Sequence, residues 1–128
     1  MDGIGWGDSS TRKIVQAGLR GAKRATHRQH RMGAVVVQGR KIISIGYNNS
    51  KTHSRSQGPY RQVHAETHAL DQAGTDAFGA TLVVVRRKAD GTLGTSRPCV
   101  SCVKAALKAG VKRIIYANDE GSLVAEDL

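Results

Sequence analysis

The connection that most constrains the fold is NDEG, residues 118–121, which separates the apolar runs VKRIIYA (111–117) and SLVAEDL (122–128). A parallel crossover between two strands takes a dozen or more residues. Four residues cannot provide one. If both runs are strands, the second must therefore return antiparallel to the first as a hairpin.

The rest of the chain alternates between helical and strand patterns. Apolar residues recur on one side of a helix from about residue 11 to 27, and two β-branched runs around Gly39 predict a hairpin over residues 32–47. The later elements are a helix at 64–74, a strand at 80–87, a helix at 98–110 and the terminal hairpin. This order predicts an α/β protein in which a mixed five-stranded sheet is sandwiched between helices.

Length and composition limit the kind of protein. The 128 residues predict a single domain, residues 1–128, that needs no disulfides to bury a core. The first residues, MDGIGWGDSS, have neither the basic start nor the apolar stretch of a signal peptide, and no apolar run approaches the roughly 20 residues that span a membrane. We therefore expect a cytoplasmic protein with no membrane partner. The two cysteines, Cys99 and Cys102, favour a reducing compartment and a metal or redox role.

The charge is one-sided. Lysine and arginine total 20 against 10 acids, a net charge of +10, and no acid occurs between Ser9 and Ala65. Such a block favours a polyanionic partner, usually nucleic acid, and the alternative is a solvated basic surface. The cations of this block are Arg12, Lys13, Arg20, Lys23, Arg24, Arg28, Arg31, Arg40, Lys41, Lys51, Arg55 and Arg61.

The stretch RQVHAETHALDQAG, residues 61–74, carries two histidines four residues apart with Glu66 between them. On a helix, His64 and His68 share a face, whereas Glu66 points almost the opposite way. The spacing is therefore not the HExxH motif of zinc proteases. A catalytic zinc needs three protein ligands and a water, so a site here requires ligands from elsewhere in the chain.

The segment PCVSC, residues 98–102, supplies candidates for these ligands. Cys99 and Cys102 lie in the first turn of the predicted helix, where both sulfurs can point to one spot. The helix N-terminus, with Arg97 beside it, favours the thiolate forms that bind metal. One histidine and two cysteines then form a three-ligand zinc site with an open position, and a redox role for the cysteine pair is the alternative.

The pairing of HAE with a later PCxxC is the signature of the zinc nucleobase deaminases. The chain resembles the cytidine deaminase superfamily, which includes deoxycytidylate, tRNA adenosine and polynucleotide cytidine deaminases. The likeness runs from about residue 11 to 117, through RMGAVVV, GYN, HAE, TLVVV, PCVSC and AGVKRIIY. It implies a three-layer α-β-α, cytidine deaminase-like fold.

The resemblance implies a role for each matching residue. His64, Cys99 and Cys102 would bind one Zn²⁺ per chain, and Glu66 would carry a proton from water to the ring nitrogen and then to departing ammonia. His68 has no ligand role in the family. Asn48 matches the asparagine that bonds the substrate, and the backbone at Ala65 and Ser96 would frame the base edge.

Further substrate contacts are expected from basic and aromatic residues near this site. Arg28 and Arg31 belong to the densest basic segment, THRQHR, and Tyr60 either stacks on a base or holds its own loop. The long connection before PCVSC would project beside the zinc, unless it is an ordinary surface hairpin. Four of its cations could meet a phosphate there: Arg86, Arg87, Lys88 and Arg97.

Two features bear on the substrate. The terminal hairpin resembles the free-cytidine and bacterial toxin deaminases, yet free-cytidine enzymes usually carry cysteine in place of His64. We therefore expect a hydrolytic deaminase that converts cytosine to uracil, with cytosine in DNA or RNA favoured. The alternatives are a deaminase of free dCMP or deoxycytidine, an adenine target, and a basic nucleic-acid-binding zinc module without activity. Superfamily members range from monomers to hexamers, which leaves a homo-oligomer open.

Overall fold

The computed structural model describes residues 9–25, 31–48 and 64–128. Within these ranges the helices are α1 (Ser9–Lys23), α2 (Ala65–Ala73) and α3 (Val100–Lys108), with a 3₁₀ turn at Gly74–Ala77. The strands are β1 (Arg31–Gln38), β2 (Lys41–Tyr47), β3 (Thr81–Arg87), β4 (Leu93–Gly94), β5 (Arg113–Ala117) and β6 (Leu123–Asp127). None of the helices described is long and apolar enough to cross a membrane.

The strands form one mixed sheet in the order β2-β1-β3-β5-β6, with β4 paired to the end of β3. Only the β3–β5 pair is parallel, and α3 lies in the connection between these two strands. The predicted terminal hairpin is confirmed, because β5 and β6 pair antiparallel. Asn118 closes its turn: the side-chain oxygen accepts hydrogen bonds from the backbone N–H groups of Glu120 and Ser122, both at 3.0 Å.

The sequence predicts five strands, whereas the described residues form six, because the connection before the cysteines contributes β4. Asp90 accepts hydrogen bonds from the backbone N–H and the hydroxyl of Thr92, at 3.0 and 2.6 Å. Gly91 adopts a φ of 87°, which suits glycine, and the chain reverses there. Leu93 and Gly94 then pair with the end of β3. Two residues are too few to show strand periodicity in the sequence.

The sheet has a helical layer on each side, which confirms the three-layer arrangement. Successive β3 side chains alternate between the faces, as strand geometry requires. Leu82 and Val84 belong to the core that includes α2 residues, whereas Val83 and Val85 belong to the core under α1. Helices α2 and α3 contact each other on the first face, and the two elements that carry the zinc motifs therefore share one layer.

Gly46 in β2 sets the close approach of α2 to the sheet. A side chain at this position would collide with the α2 backbone, including Ala69 Cα at 2.9 Å. Ser44 donates a hydrogen bond of 2.7 Å from its hydroxyl to the Ala69 carbonyl, on the same helix. These contacts fix the depth of α2, and with it the position of His64, the residue before the helix.

Candidate metal centre and active site

Two helix N-termini meet at the candidate metal centre. His64 is the N-cap residue of α2 and Cys99 is the N-cap residue of α3. Both have extended backbones, with ψ of 149° and 165°, and neither side chain caps its own helix. Their side chains are therefore available to each other. Cys102, one turn further along α3, is 2% exposed and completes the group.

The spacing of the three ligand atoms fits a zinc ion. Nδ1 of His64 lies 3.4 Å from Sγ of Cys102 and 4.0 Å from Sγ of Cys99. All three atoms lie within 4.8 Å of one another. A tetrahedral site with Zn–N near 2.0 Å and Zn–S near 2.3 Å separates N and S by about 3.6 Å. The predicted His64, Cys99 and Cys102 set thus fits one Zn²⁺, and no fourth ligand joins it within the described ranges.

The two thiols differ in acidity before a metal binds. Burial opposes ionisation of Cys99, but hydrogen bonds from the Ser101 side chain and the Cys102 backbone outweigh it and lower the pKa of Cys99. Burial raises the pKa of Cys102 well above its usual range, and the charge of Glu66 adds to the effect. Without a metal, the pKa shift of Cys99 is in the direction expected for a favoured thiolate, whereas the pKa of Cys102 is raised because Cys102 lies in the core.

Glu66 lies in the first turn of α2 and is only 4% exposed. Its charge raises the pKa of both thiols. It also lines a cavity of about 420 Å³ that opens beside His64 and Cys99. A buried carboxylate next to a metal centre and a cavity is placed to exchange protons with a bound ligand.

Four of the predicted substrate contacts line this cavity: Asn48, Ala65, Ser96 and Arg97. Asn48 is 6% exposed, and its side-chain oxygen accepts a hydrogen bond of 2.9 Å from the Met32 N–H. The same residue therefore fixes the start of β1 and forms part of the cavity wall. Arg97 is largely exposed and lies 3.7 Å from Glu126 on β6.

Ser96 connects two strands at the cavity floor. Its hydroxyl donates to the Val84 carbonyl and accepts from the Ala117 N–H, both at 2.8 Å. Its own N–H donates to the Ala117 carbonyl at 3.0 Å. Because that N–H is already used, the backbone group of Ser96 left for a base edge is its carbonyl oxygen.

Other predicted contacts lie elsewhere. Arg31 does not line the cavity, and it pairs in register with Arg87 at the end of β3. Tyr60 and Arg28 lie outside the described residues. His68 accepts a hydrogen bond of 3.1 Å at Nδ1 from the Tyr47 N–H and packs edge-on against the Tyr47 ring. His68 is thus a packing residue against β2, which agrees with its lack of a ligand role.

Sequence reasoning missed two residues of the cavity wall, Met32 and Thr95, and did not separate Arg86 from its basic neighbours. Met32 and Arg86 sit opposite each other in the β1–β3 register. Strand alternation counted from Val84 would have placed Arg86 on the cavity face. Thr95 carried no comparable signal, because its position depends on the β4 turn.

A histidine and two cysteines gathered at two helix N-termini, beside a buried glutamate on one layer of a mixed sheet, define a zinc-binding site of the deaminase type. The chain belongs to the family described as the cytidine and deoxycytidylate deaminase zinc-binding region, whose model matches residues 8–118.

Known relatives agree with this assignment. The chain is 34% identical over 111 residues to riboflavin biosynthesis protein RibD of Aquifex aeolicus, across 87% of this chain but only 28% of that protein. It is 28% identical over 120 residues to the deoxycytidylate deaminase of Mycobacterium phage D29, across 77% of this chain and 86% of the phage protein. The crystal structure of cytidine deaminase from Burkholderia pseudomallei superimposes with a TM-score of 0.67 at 20% identity, across 91% of each chain, which supports the fold.

Proposed function

We propose that this chain is a zinc-dependent hydrolytic deaminase that converts the cytosine ring of a phosphate-bearing substrate to uracil. The observation that carries the proposal is the cluster of His64, Cys99 and Cys102 beside buried Glu66, at the wall of one cavity. All described strands join a single sheet, which supports the further proposal of one domain over residues 1–128.

The residues divide the chemistry between them. Zinc, when bound by His64, Cys99 and Cys102, supplies Lewis-acid chemistry that makes water nucleophilic near neutral pH. Glu66 takes the proton of the water that attacks C4 of the ring and delivers it to the adjacent ring nitrogen. Glu66 then takes the proton of the hydroxyl group on C4 and passes it to the amino group as the C4–N bond breaks, so that ammonia leaves and a carbonyl remains. The Ser96 carbonyl and the Ala65 backbone would orient the base edge.

A single nucleotide is the substrate that the geometry favours. The phage relative is named for deoxycytidylate, a free nucleotide, and the RibD relative for riboflavin biosynthesis. The cavity of about 420 Å³ lies in the usual range for a small-molecule pocket. Two arginines at its wall, Arg86 and Arg97, provide positive charge next to the metal centre.

Cytosine in DNA or RNA is the second candidate, and the net charge of +10 favours it. Part of that charge lies away from the cavity, however. Helix α1 packs on the sheet face opposite α2 and α3, and its cations Arg12, Lys13, Arg20 and Lys23 are exposed on that layer. Those side chains cannot contact a nucleotide held at the zinc, so they support a polymer only if it wraps around the domain.

The test is a deamination assay by mass spectrometry on dCMP, deoxycytidine, single- and double-stranded DNA, and RNA, with zinc-loaded protein. We expect turnover of dCMP well above that of deoxycytidine. Turnover of an oligonucleotide but not of dCMP would show that cytosine in DNA or RNA is the substrate. No turnover of any cytosine substrate by protein that holds one zinc would contradict the proposed activity and favour a structural zinc module.

A further inference from the structure

Arg86 occupies a distinctive place between two cavities. Its position on β3 gives it the same face as Leu82 and Val84, the face that carries α2 and the metal centre. Its side chain lines the cavity that holds Glu66. It also lines a second, polar cavity of about 270 Å³ between β4 and the β5–β6 turn. The guanidinium therefore forms part of the wall between the two spaces.

Within the described residues, one donor of the Arg86 guanidinium, Nε, lacks an acceptor. This atom is buried. Neighbouring arginines differ, because Arg97 lies 3.7 Å from Glu126 and Arg113 lies 2.8 Å from Asp127. A buried donor without an acceptor costs free energy, and a charged one costs more. An acceptor on a ligand in the cavity would remove this cost.

The β3–β4 hairpin places the Arg86 side chain. Gly94 lies directly opposite Arg86 in the register. A Cβ atom at Gly94 would lie 3.4 Å from Cδ of Arg86 and 3.0 Å from Cγ of Lys88. The glycine therefore leaves room for both long side chains to lie over β4. The hairpin that β4 creates is thus part of what positions the arginine at the cavity wall.

We propose that Arg86 binds the phosphate of the substrate and so determines selectivity for nucleotides over nucleosides, an inference that rests on the proposed function. Among the described residues, the first cavity is lined by two arginines, Arg86 and Arg97, and by one carboxylate, that of Glu66. Asp119 and Glu120 line only the second cavity. An anion in the first cavity meets a net positive wall, and a guanidinium suits phosphate oxygens in charge and geometry.

The test compares Arg86→Gln with Arg87→Gln. Arg87 is the next residue, faces the α1 layer and lines neither cavity. The measured quantity is the ratio of kcat/KM for dCMP to kcat/KM for deoxycytidine. We expect Arg86→Gln to lower this ratio by about 10- to 100-fold, mainly through KM, as expected for the loss of a charged hydrogen bond. Arg87→Gln should leave it unchanged, and Arg86→Lys should restore part of it.

A binding measurement separates failure of this inference from failure of the proposed function. Calorimetry with dUMP and deoxyuridine needs no turnover, and it should show about tenfold weaker dUMP binding by Arg86→Gln than by Arg87→Gln. Parallel deamination assays with dCMP and a cytosine oligonucleotide show whether the phosphate that Arg86 binds is the terminal phosphate of a free nucleotide or an internal phosphate of a polynucleotide. The inference is overturned if Arg86→Gln keeps the wild-type selectivity and dUMP affinity, if Arg87→Gln loses as much, or if the wild-type protein does not bind dUMP. Circular dichroism and zinc content establish that each variant is folded. If Arg86→Gln does not fold, Arg86→Lys replaces it in the comparison with Arg87→Gln.

Discussion

Nδ1 of His64 lies 3.4 Å from Sγ of Cys102, although 38 residues separate them in the chain. The contact exists because α2 and α3 pack on the same face of the sheet and both point their N-termini at one place. The zinc site is therefore a product of the tertiary fold. Each motif supplies only part of the ligand set.

The two histidines at the start of α2, the N-cap His64 and the helical His68, should differ completely in their effect on zinc. His64→Ala removes a ligand, so we expect its bound zinc to fall below about a tenth of an equivalent after dialysis against a chelator, since a two-ligand site binds zinc weakly. His68→Gln should keep one equivalent, because His68 contacts Tyr47. Zinc is measured by atomic emission spectroscopy. Loss of zinc from both variants, or from neither, would contradict the assigned ligand set.

Ser96→Ala should destabilise the protein, because it removes a buried hydroxyl group that forms two hydrogen bonds. The variant leaves the Val84 carbonyl and the Ala117 N–H without the hydroxyl that now pairs with both. We expect the free energy of unfolding to fall by about 1–3 kcal/mol, measured by urea denaturation. Ser122→Ala is the matched control, because Ser122 is exposed and its hydrogen bonds to other described residues of the β5–β6 turn come from its backbone N–H and carbonyl. Equal effects of the two variants would disprove the bridging role.

Gly46→Ala should displace α2 and weaken the site that α2 carries. The added methyl group collides with backbone atoms, which cannot rotate away as a flexible side chain can. We expect a loss of about 1–3 kcal/mol in the free energy of unfolding, together with reduced zinc affinity.

The control for this variant is Gly39→Asn. Gly39 has a φ of 62° and open space around its Cβ position, and asparagine tolerates that backbone conformation. Its unfolding and zinc affinity should stay close to those of the wild type. If Gly46→Ala behaves like Gly39→Asn, the glycine does not set the depth of α2.

The cysteine pair and the terminal hairpin were predictable because each depends on short-range rules, whereas the pairing of His64 with the cysteines came from the family resemblance. Ligand spacing at a helix start is local, and four residues between two strands exclude a parallel crossover. Arg86 was only partly predictable. The sequence grouped it with Arg87, Lys88 and Arg97, but only Arg86 and Arg97 line the cavity with Glu66. Alternation along β3 separates Arg86 from Arg87. The positions of Lys88 and Arg97 depend on β4, which two residues cannot reveal.

The pKa of Cys102 shows a second limit of local rules. The helix N-terminus favours thiolates at both cysteines. The burial of Cys102 is set by how α3 packs against α2 and the sheet, and it reverses the direction of the pKa shift there. Electrostatic expectations drawn from helix position alone therefore need the packing before they can be applied to a particular residue.

We propose that Glu66 transfers protons at a zinc site that it does not help to hold. The most direct test of this role measures zinc content and dUMP formation from dCMP on the same samples of wild-type and Glu66→Gln protein. We expect one zinc per chain in both, with turnover lower in Glu66→Gln by at least about 10²-fold, the scale of general acid–base catalysis. Loss of zinc from Glu66→Gln, or turnover close to the wild-type rate, would contradict the account.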